Sequence, residues 1–289
     1  MKKVLVLGGA TGLLGQAIVE KITSEKNWQV NTLGRTDGDI FDAQFMAKYI
    51  ENENPDIIFN TVAWTQVDDA EDHEEEALKI NAGFPQTIAK IIKNSSCHLV
   101  HFSTDFVFNG QARHSYAEDD EPNPESSYGR TKLAGEKILL ELIPEQVTIC
   151  RTAWLFGPHR KNFVATICQV ARKNGQLKVV SDQIGSPTYT RDLAAYSIEL
   201  AAQKKSGIWH TVNSGQASWY DLASFAVKAA NIPCQVTPIP SDEWPQKAKR
   251  PPFSVLNTDK LAKFLKQDVR PWQEAVELYA KEKSFNNLP

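Results

Sequence analysis

The sequence predicts an α/β fold: a parallel sheet covered by helices on both faces, followed by a smaller lobe. Three observations carry this. Short apolar runs alternate with helical patterns over the first half of the chain. A glycine-rich turn follows the first of those runs. Past Trp154 the alternation gives way to longer, proline-bearing loops.

Taken in order, the first apolar run is Lys3–Leu7, inside VLVLGGATGLLG. Gly9, Gly12 and Gly15 follow it, spaced GxxGxxG, and open an amphipathic stretch from Leu14 to about Ser24. Glycines so placed turn the chain sharply, admit a pyrophosphate against bare backbone and let helix pack on strand. The sheet is therefore expected to be Rossmann-type and doubly wound, with Thr11, Leu13 and Leu14 sharing the dinucleotide contact.

The second run, Gln29–Leu33, ends in Leu33-Gly34-Arg35. About 20 positions past the last glycine, an acid would bind the ribose of NAD. Arg35 stands there instead. Its guanidinium suits the extra 2′-phosphate of NADP, so NADPH is favoured, with NADH as the alternative; otherwise Arg35 is a solvated loop residue. Asp39-Ile40 is placed to meet an adenine ring, although Asp39 would equally cap a local turn. The third run is Ile57–Asn60, and Asn60 to Ala63 at its end are expected to line the adenosine. The acidic stretch Glu71–Glu76 reads as a solvated helix start rather than a metal site, since negative charge complements the positive end of the helix dipole. A helical pattern from Ala77 to about Asn94 comes next.

The fourth run, His98–Phe102, delivers Thr104 to the sheet edge, and Val147–Arg151 is the fifth. Between them, YGRTK puts Tyr128 and Lys132 four residues apart at the head of a helical stretch reaching about Leu142. That spacing stacks both side chains on one helix face. Thr104, Tyr128 and Lys132 together describe a hydroxyl that holds a carbonyl oxygen, a proton donor and its charge partner, equipment for reducing a ketone with a nicotinamide. Tyr279 and Lys283 repeat the spacing without an upstream strand-borne hydroxyl, and read as a solvated face of a charged terminal segment. Trp154 either packs its indole on a sugar or fills a core or lobe interface.

Helical patterns in the later part fall near Phe163–Asn174, Arg191–Gln203, Tyr220–Ala230 and Asp259–Phe264, with proline-bearing loops at 181–190 and 233–252. Residues 1–153 are thus read as the NAD(P)-binding unit. Residues 154–289 are mainly a substrate-binding lobe, with some segments returning to the cofactor sheet. In that lobe Lys247-Ala248-Lys249-Arg250, just before Pro251, is either a diphosphate grip centred on Arg250 or a solvated cluster. Asp105 is grouped with Thr104, Trp154 and Arg250 as a substrate contact.

Composition narrows the partners. A formal net charge of −3 over 289 residues, with no basic block, argues against nucleic acid or a membrane surface. Cys97, Cys150, Cys168 and Cys234 lack metal-type spacing and read as free thiols. No apolar segment approaches the roughly 18 residues of a membrane span, so a cytoplasmic location is expected. Oligomeric state is not legible.

At this point the chain resembles a known family. GGATGLLG, FNTVAWTQVDDAE, FSTDFVFNG, YGRTKLAGE, RTAWLFGP, VVSDQIGSPTYTRDLA, SGQASWYDLA and RPPFSVL are similar, almost end to end, to the extended short-chain dehydrogenase/reductases and, among them, to the dTDP-4-dehydrorhamnose reductase family. The resemblance implies NAD(P)H-dependent reduction of the C4 ketone of dTDP-4-dehydro-L-rhamnose to dTDP-L-rhamnose, with Thr104, Tyr128 and Lys132 in the catalytic places. It implies a nucleotide-sugar substrate. Asn81 matches an asparagine that supports a proton relay in many relatives, or else bends a helix or makes a buried hydrogen bond. Some members bind magnesium through a carboxylate early in the first helix; here Ala17 and Gln16 stand there, and Arg191 puts a cation where a metal wants an acid, so no metal is expected. The alternatives are a reductase of another nucleotide 4-ketosugar and a non-catalytic NADP-binding regulatory subunit. A 4,6-dehydratase, which carries Asp-Glu after the threonine, is disfavoured by Thr104-Asp105-Phe106.

Overall fold

The computed structural model describes residues 1–282. Its first half alternates β1 (Lys3–Leu7), α1 (Leu13–Glu25), β2 (Gln29–Leu33), α2 (Ala43–Glu53), β3 (Ile57–Asn60), α3 (Glu74–Leu78), α4 (Phe84–Ile92), β4 (His98–Thr104), α5 (Ser127–Leu142) and β5 (Val147–Thr152). The second half carries two-residue strands β6 (Leu155–Phe156), β8 (Ile184–Gly185), β9 (Thr188–Tyr189) and β11 (Ala217–Ser218), and longer ones β7 (Gln176–Val180), β10 (Gly207–His210) and β12 (Gln235–Ile239). Its helices are α6 (Phe163–Asn174), α7 (Thr190–Ala202), α8 (Trp219–Ala229), α9 (Asp259–Leu265) and α10 (Trp272–Ala280).

Six parallel strands form the main sheet in the order β2-β1-β3-β4-β5-β10. Side chains alternate across a strand, and here both faces are buried. Val4, Val6, Phe59, Val100 and Cys150 feed a core closed by α1 and α7. Leu5, Leu7, Ile58, Leu99 and Ile149 feed the opposite core, closed by α2, α4 and α5. Thus the doubly wound α/β architecture expected from the alternation is what the chain adopts. Strand β10 and helix α7 come from the second half yet belong to this sheet, β10 at its edge beside β5 and α7 in the α1 core. The smaller lobe pairs β7 with β12 and packs α6, α8 and α10 around Phe156, Tyr189, Trp272 and Tyr279.

Two local expectations are overturned. The stretch 77–94 is not one helix: a π-helical turn, Lys79–Gly83, separates α3 from α4. Pro85 sits in the first turn of α4 and has no N–H to give the preceding turn, so the ladder widens ahead of it. Tyr279 is not on a solvated face. It is fully buried, and its hydroxyl accepts from Asn162 Nδ2 at 3.0 Å. Residues Trp272, Ala275, Val276 and Tyr279 are the buried side of α10, the spacing of an amphipathic helix. Lys283 lies outside the described residues.

Candidate active site

The carboxyl ends of β1, β3, β4 and β5 open into one cleft of about 1080 Å³, the edge at which ligands bind in open α/β sheets. The glycine loop forms one wall. Gly15 packs so tightly that a Cβ there would stand 2.6 Å from the Gly8 carbonyl oxygen. Helix α1 begins at Gly12 with no side-chain cap and no acid in its first turn, and Gly12, Leu13, Leu14 and Gly15 line the cleft. Uncapped N–H groups and a bare backbone suit a pyrophosphate, so the residues present fit a dinucleotide. Thr11 is exposed on the loop.

The other expected cofactor contacts divide. Ala63 lines the cleft, with Thr61 beside it. Arg35 is exposed past β2, its guanidinium 5.6 Å from the Phe41 ring centroid. Asp39 caps a local turn: its Oδ1 accepts from Phe41 N at 3.0 Å. Ile40 is 1% exposed and packs in the α2 core, so its side chain is not free to meet an adenine. Asn60 is likewise buried, facing His101 rather than the cleft.

The opposite wall holds the reductive set. Thr104, Tyr128 and Lys132 all line the cleft. Thr104 ends β4, where its Oγ1 accepts from Phe106 N at 3.2 Å and donates to Asp105 Oδ1 at 3.1 Å. It lies near enough to the Tyr128 hydroxyl to bear on its acidity. Tyr128 sits in the first turn of α5, a helix capped by Ser126 Oγ accepting from Gly129 N. That turn presses on the chain after Thr104, since a Cβ on Gly129 would lie 2.2 Å from the Phe106 carbonyl oxygen. The acidic run helps to fix it: Glu71 accepts from Ser127 N at 2.8 Å and Glu74 pairs with Arg130 at 2.6 Å. Part of the run expected to be merely solvated therefore braces α5.

Electrostatics follow from burial. The Tyr128 ring is part-exposed but its hydroxyl is enclosed, and burial pushes it up to about 12, with the Thr104 hydroxyl opposing and the Asp105 charge adding. A phenol so placed keeps its proton near neutrality, as a general acid must. Burial pushes the Lys132 ammonium down to about 8. Its Nζ donates to Phe102 O at 2.6 Å and lies 3.3 Å from His101 Nε2. Burial also pushes the Asp105 carboxyl up to about 6, against bonds from Ser254 Oγ (2.5 Å to Oδ2) and Thr104.

Asn81 has the buried hydrogen bonds that were one of its expected roles. Its Oδ1 accepts from Trp64 N at 2.9 Å and its Nδ2 donates to Thr131 Oγ1 at 3.1 Å, so it is a buried clamp between the post-β3 loop and α5. Trp154 fills the interface expected of it and also faces the cleft. It lines the cleft and stacks on Trp219, centroids 3.6 Å apart and 7° from parallel, in a backbone conformation (φ +46°) that a bulky side chain seldom adopts. Arg250 lines the cleft but is already forked onto Asp68, both contacts 2.8 Å. Lys247 and Lys249 pair with Asp72 and Glu125. Sequence reasoning missed Trp219, Ser254 and His101. The first two lay inside motifs quoted for the resemblance, SGQASWYDLA and RPPFSVL; His101 was hidden in an apolar strand.

The comparisons with known proteins fall on this geometry. Residues 1–285 match the family described as RmlD substrate binding domain. The chain belongs to this family. Among RmlD-family relatives, the dTDP-4-keto-6-deoxy-D-glucose reductase of Streptomyces niveus is 38% identical over 269 residues, covering 93% of each chain. The dTDP-4-dehydrorhamnose reductase of Mycolicibacterium smegmatis is 37% identical over 281 residues, 96% of this chain and 85% of the relative. The crystal structure of dTDP-4-dehydrorhamnose reductase from Bacillus anthracis in complex with NADP superposes with a TM-score of 0.91 at 30% identity, covering 96% and 98% of the two chains. The family expected from the motifs is thus the one found. Two cautions of the sequence also gain a setting. Arg191 pairs with Glu20 at 3.2 Å and with Glu282 at 2.9 Å, and Ala17 is buried in the α1 core. No helix among the described residues is long and apolar enough to cross a membrane.

Proposed function

We propose that this chain is an NADPH-dependent reductase that converts the C4 ketone of dTDP-4-dehydro-L-rhamnose to the alcohol of dTDP-L-rhamnose. The carrying observation is the meeting of Thr104, Tyr128 and Lys132 on one wall of a cleft whose other wall is the glycine loop. The names of the relatives support the sugar, and the NADP-bound relative supports the cofactor.

Residues 1–153, with α7 and β10, would hold the cofactor, and most of the remainder would hold the sugar nucleotide. Gly12, Leu13 and Gly15 would take the pyrophosphate, and Arg35 the 2′-phosphate. Bound there, NADPH supplies the hydride. Tyr128 donates its proton to the alkoxide oxygen, and Thr104 holds that oxygen by a hydrogen bond where charge builds up. To do so the Thr104 hydroxyl would turn its single proton from Asp105 Oδ1, to which it now donates, toward the substrate oxygen. Trp154, stacked on Trp219, offers a flat wall to the sugar, and Arg250 a cation to the diphosphate.

A second reading keeps the chemistry and changes the sugar: the relative from Streptomyces niveus is named for dTDP-4-keto-6-deoxy-D-glucose and is as similar as the rhamnose enzymes. NADPH oxidation against a panel of nucleotide 4-ketosugars decides between them. The first reading expects the highest kcat/KM with dTDP-4-dehydro-L-rhamnose. A higher value with the gluco sugar selects the second, and no turnover with any ketosugar overturns both.

A further inference from the structure

Lys132 is about 1% exposed, and no carboxylate among the described residues bonds to its nitrogen. The charged group that bears on it from its own helix is Glu136, and Glu136 is neutralised by Arg151 of β5 at 2.7 Å, both side chains 1% exposed. What Lys132 has instead is a carbonyl and an imidazole. His101 comes from β4, is as deeply buried, and is held well below the ordinary histidine range by that burial and by the Lys132 charge. Its ring is therefore neutral and carries one proton.

Which nitrogen carries that proton follows from the neighbours. A neutral imidazole has one donor and one acceptor, and an ammonium has no lone pair at all. Val62 N donates to an Asn60 side-chain atom at 3.2 Å, which must be the oxygen because a backbone N–H can only donate. The Asn60 NH₂ group is left facing His101 Nδ1 at 3.2 Å. Nδ1 must accept, so the ring proton sits on Nε2 and points at Lys132 Nζ, 3.3 Å away. That contact is a good hydrogen bond when Lys132 is a neutral amine and a poor one when it is an ammonium. The opposite ring tautomer would reverse this, but it requires Asn60 to turn and strip Val62 N of its acceptor.

We propose that His101, with its tautomer fixed by Asn60, is a positioning residue for Lys132 and sets how readily that nitrogen releases its proton beside Tyr128. The idea rests on the reading of Lys132 as the partner of Tyr128 in a ketone reductase. It adds a residue that does not line the cleft, and it ties the lysine's charge to the loop after β3 that lines the cleft through Thr61 and Ala63.

The first measurement needs no substrate. In ¹⁵N-histidine-labelled protein, imidazole correlation spectra should show His101 protonated on Nε2 with a pyridine-type Nδ1; a proton on Nδ1 overturns the proposal. The second uses Asn60→Asp, whose carboxylate accepts from Nδ1–H and turns the Nε2 lone pair toward Lys132. The Lys132 ammonium should then hold its proton more tightly. Its titration, followed by the ¹³Cε shift, should move to higher pH by about one unit or more, a tenfold change in proton affinity. The alkaline limb of kcat/KM should move with it, which a merely structural loss would not produce. An unmoved lysine titration in the folded variant overturns the proposal. If both spectroscopic results hold and no ketosugar turns over, the reductase reading fails while this one stands.

Discussion

The molecule contains the same tyrosine spacing twice, and the two copies lie in opposite settings. Tyr128 opens α5 at the sheet edge, with its hydroxyl near Thr104 and its ring part-exposed in a cleft. Tyr279 lies in α10 inside the smaller lobe, wholly buried among Phe156 and Tyr189. Burial pushes both phenols up to about 12. A perturbed phenol therefore does not mark an acid catalyst in this protein. What separates the two is what lies within reach: an open cleft, a strand-end hydroxyl and a buried lysine in one case, an asparagine amide in the other. Site chemistry is a property of surroundings, and the four-residue spacing supplies only the chance of it.

The largest expected effect sharpens this contrast. Tyr128→Phe removes the phenolic proton and keeps the ring, so kcat should fall by roughly 10²–10⁴-fold, the usual worth of a positioned acid. NADPH affinity, measured by fluorescence titration, should be largely kept. Equal activities for Tyr128→Phe and Tyr279→Phe would break the comparison.

The contrast extends to two arginines, Arg250 in the cleft and Arg35 exposed past β2. Arg35 has an aromatic neighbour, whereas Arg250 is forked onto Asp68. If Arg35 reads the 2′-phosphate, Arg35→Ala should weaken NADPH by roughly 1.5–3 kcal/mol, the range for a hydrogen bond to a charged group, and leave NADH almost unchanged. Equal losses for the two cofactors would make it a loop residue. Arg250→Ala should do less. Its charge is already shared with a half-exposed carboxylate, so a rise of roughly fivefold in KM for the ketosugar, about 1 kcal/mol, is the expectation. An unchanged KM removes Arg250 from the site.

The same contrast explains what could be read in advance. Strands β1 and β3 were legible to the residue, because strands buried on both faces are short continuous apolar runs with sharp ends. The edge strand β2, only part-buried, was legible through Val30 and Leu33 and the Gly34 that ends it. Strand β4 was read two residues short: Ser103 and Thr104 are polar, and polarity looks like a turn until the sheet edge that uses it is known. The two-residue strands of the smaller lobe have too little sequence to carry a period. Helix α10 was misread because its exposed side and the residues after it are charged, although its buried positions recur at helical spacing. Within the site, the glycine loop and Thr104, Tyr128 and Lys132 were legible because backbone approach and helical spacing are local. His101 was not, since its meaning depends on a lysine 31 positions away and on a tautomer set by the next strand. That Ile40 packs in the α2 core and that Asn60 faces His101 was not legible either, because which way a side chain faces is decided by packing.

The smallest expected effect bears hardest on the comparison, because it asks whether a buried, strongly perturbed tyrosine can be silent. Tyr279→Phe keeps the ring and so keeps the packing of α10 on Phe156 and Tyr189. It removes one acceptor from Asn162 Nδ2, which still donates to Gly157 O at 2.8 Å and Arg160 O at 3.0 Å. The loss of this bond orphans no donor on Asn162, so it should cost near the net worth of one hydrogen bond, about 1 kcal/mol, read as a small drop in the urea midpoint with an unchanged slope. Asn162 also caps α6 through Oδ1 accepting from Ala165 N at 3.1 Å, and that bond does not involve Tyr279. Helix α6 should therefore stay in place, with the cleft residues Phe163 and Ile167 that it carries. Both kcat and KM should be unchanged. A loss of activity larger than the loss of stability would mean that the smaller lobe transmits its packing to the cleft, and that the two tyrosines are not independent.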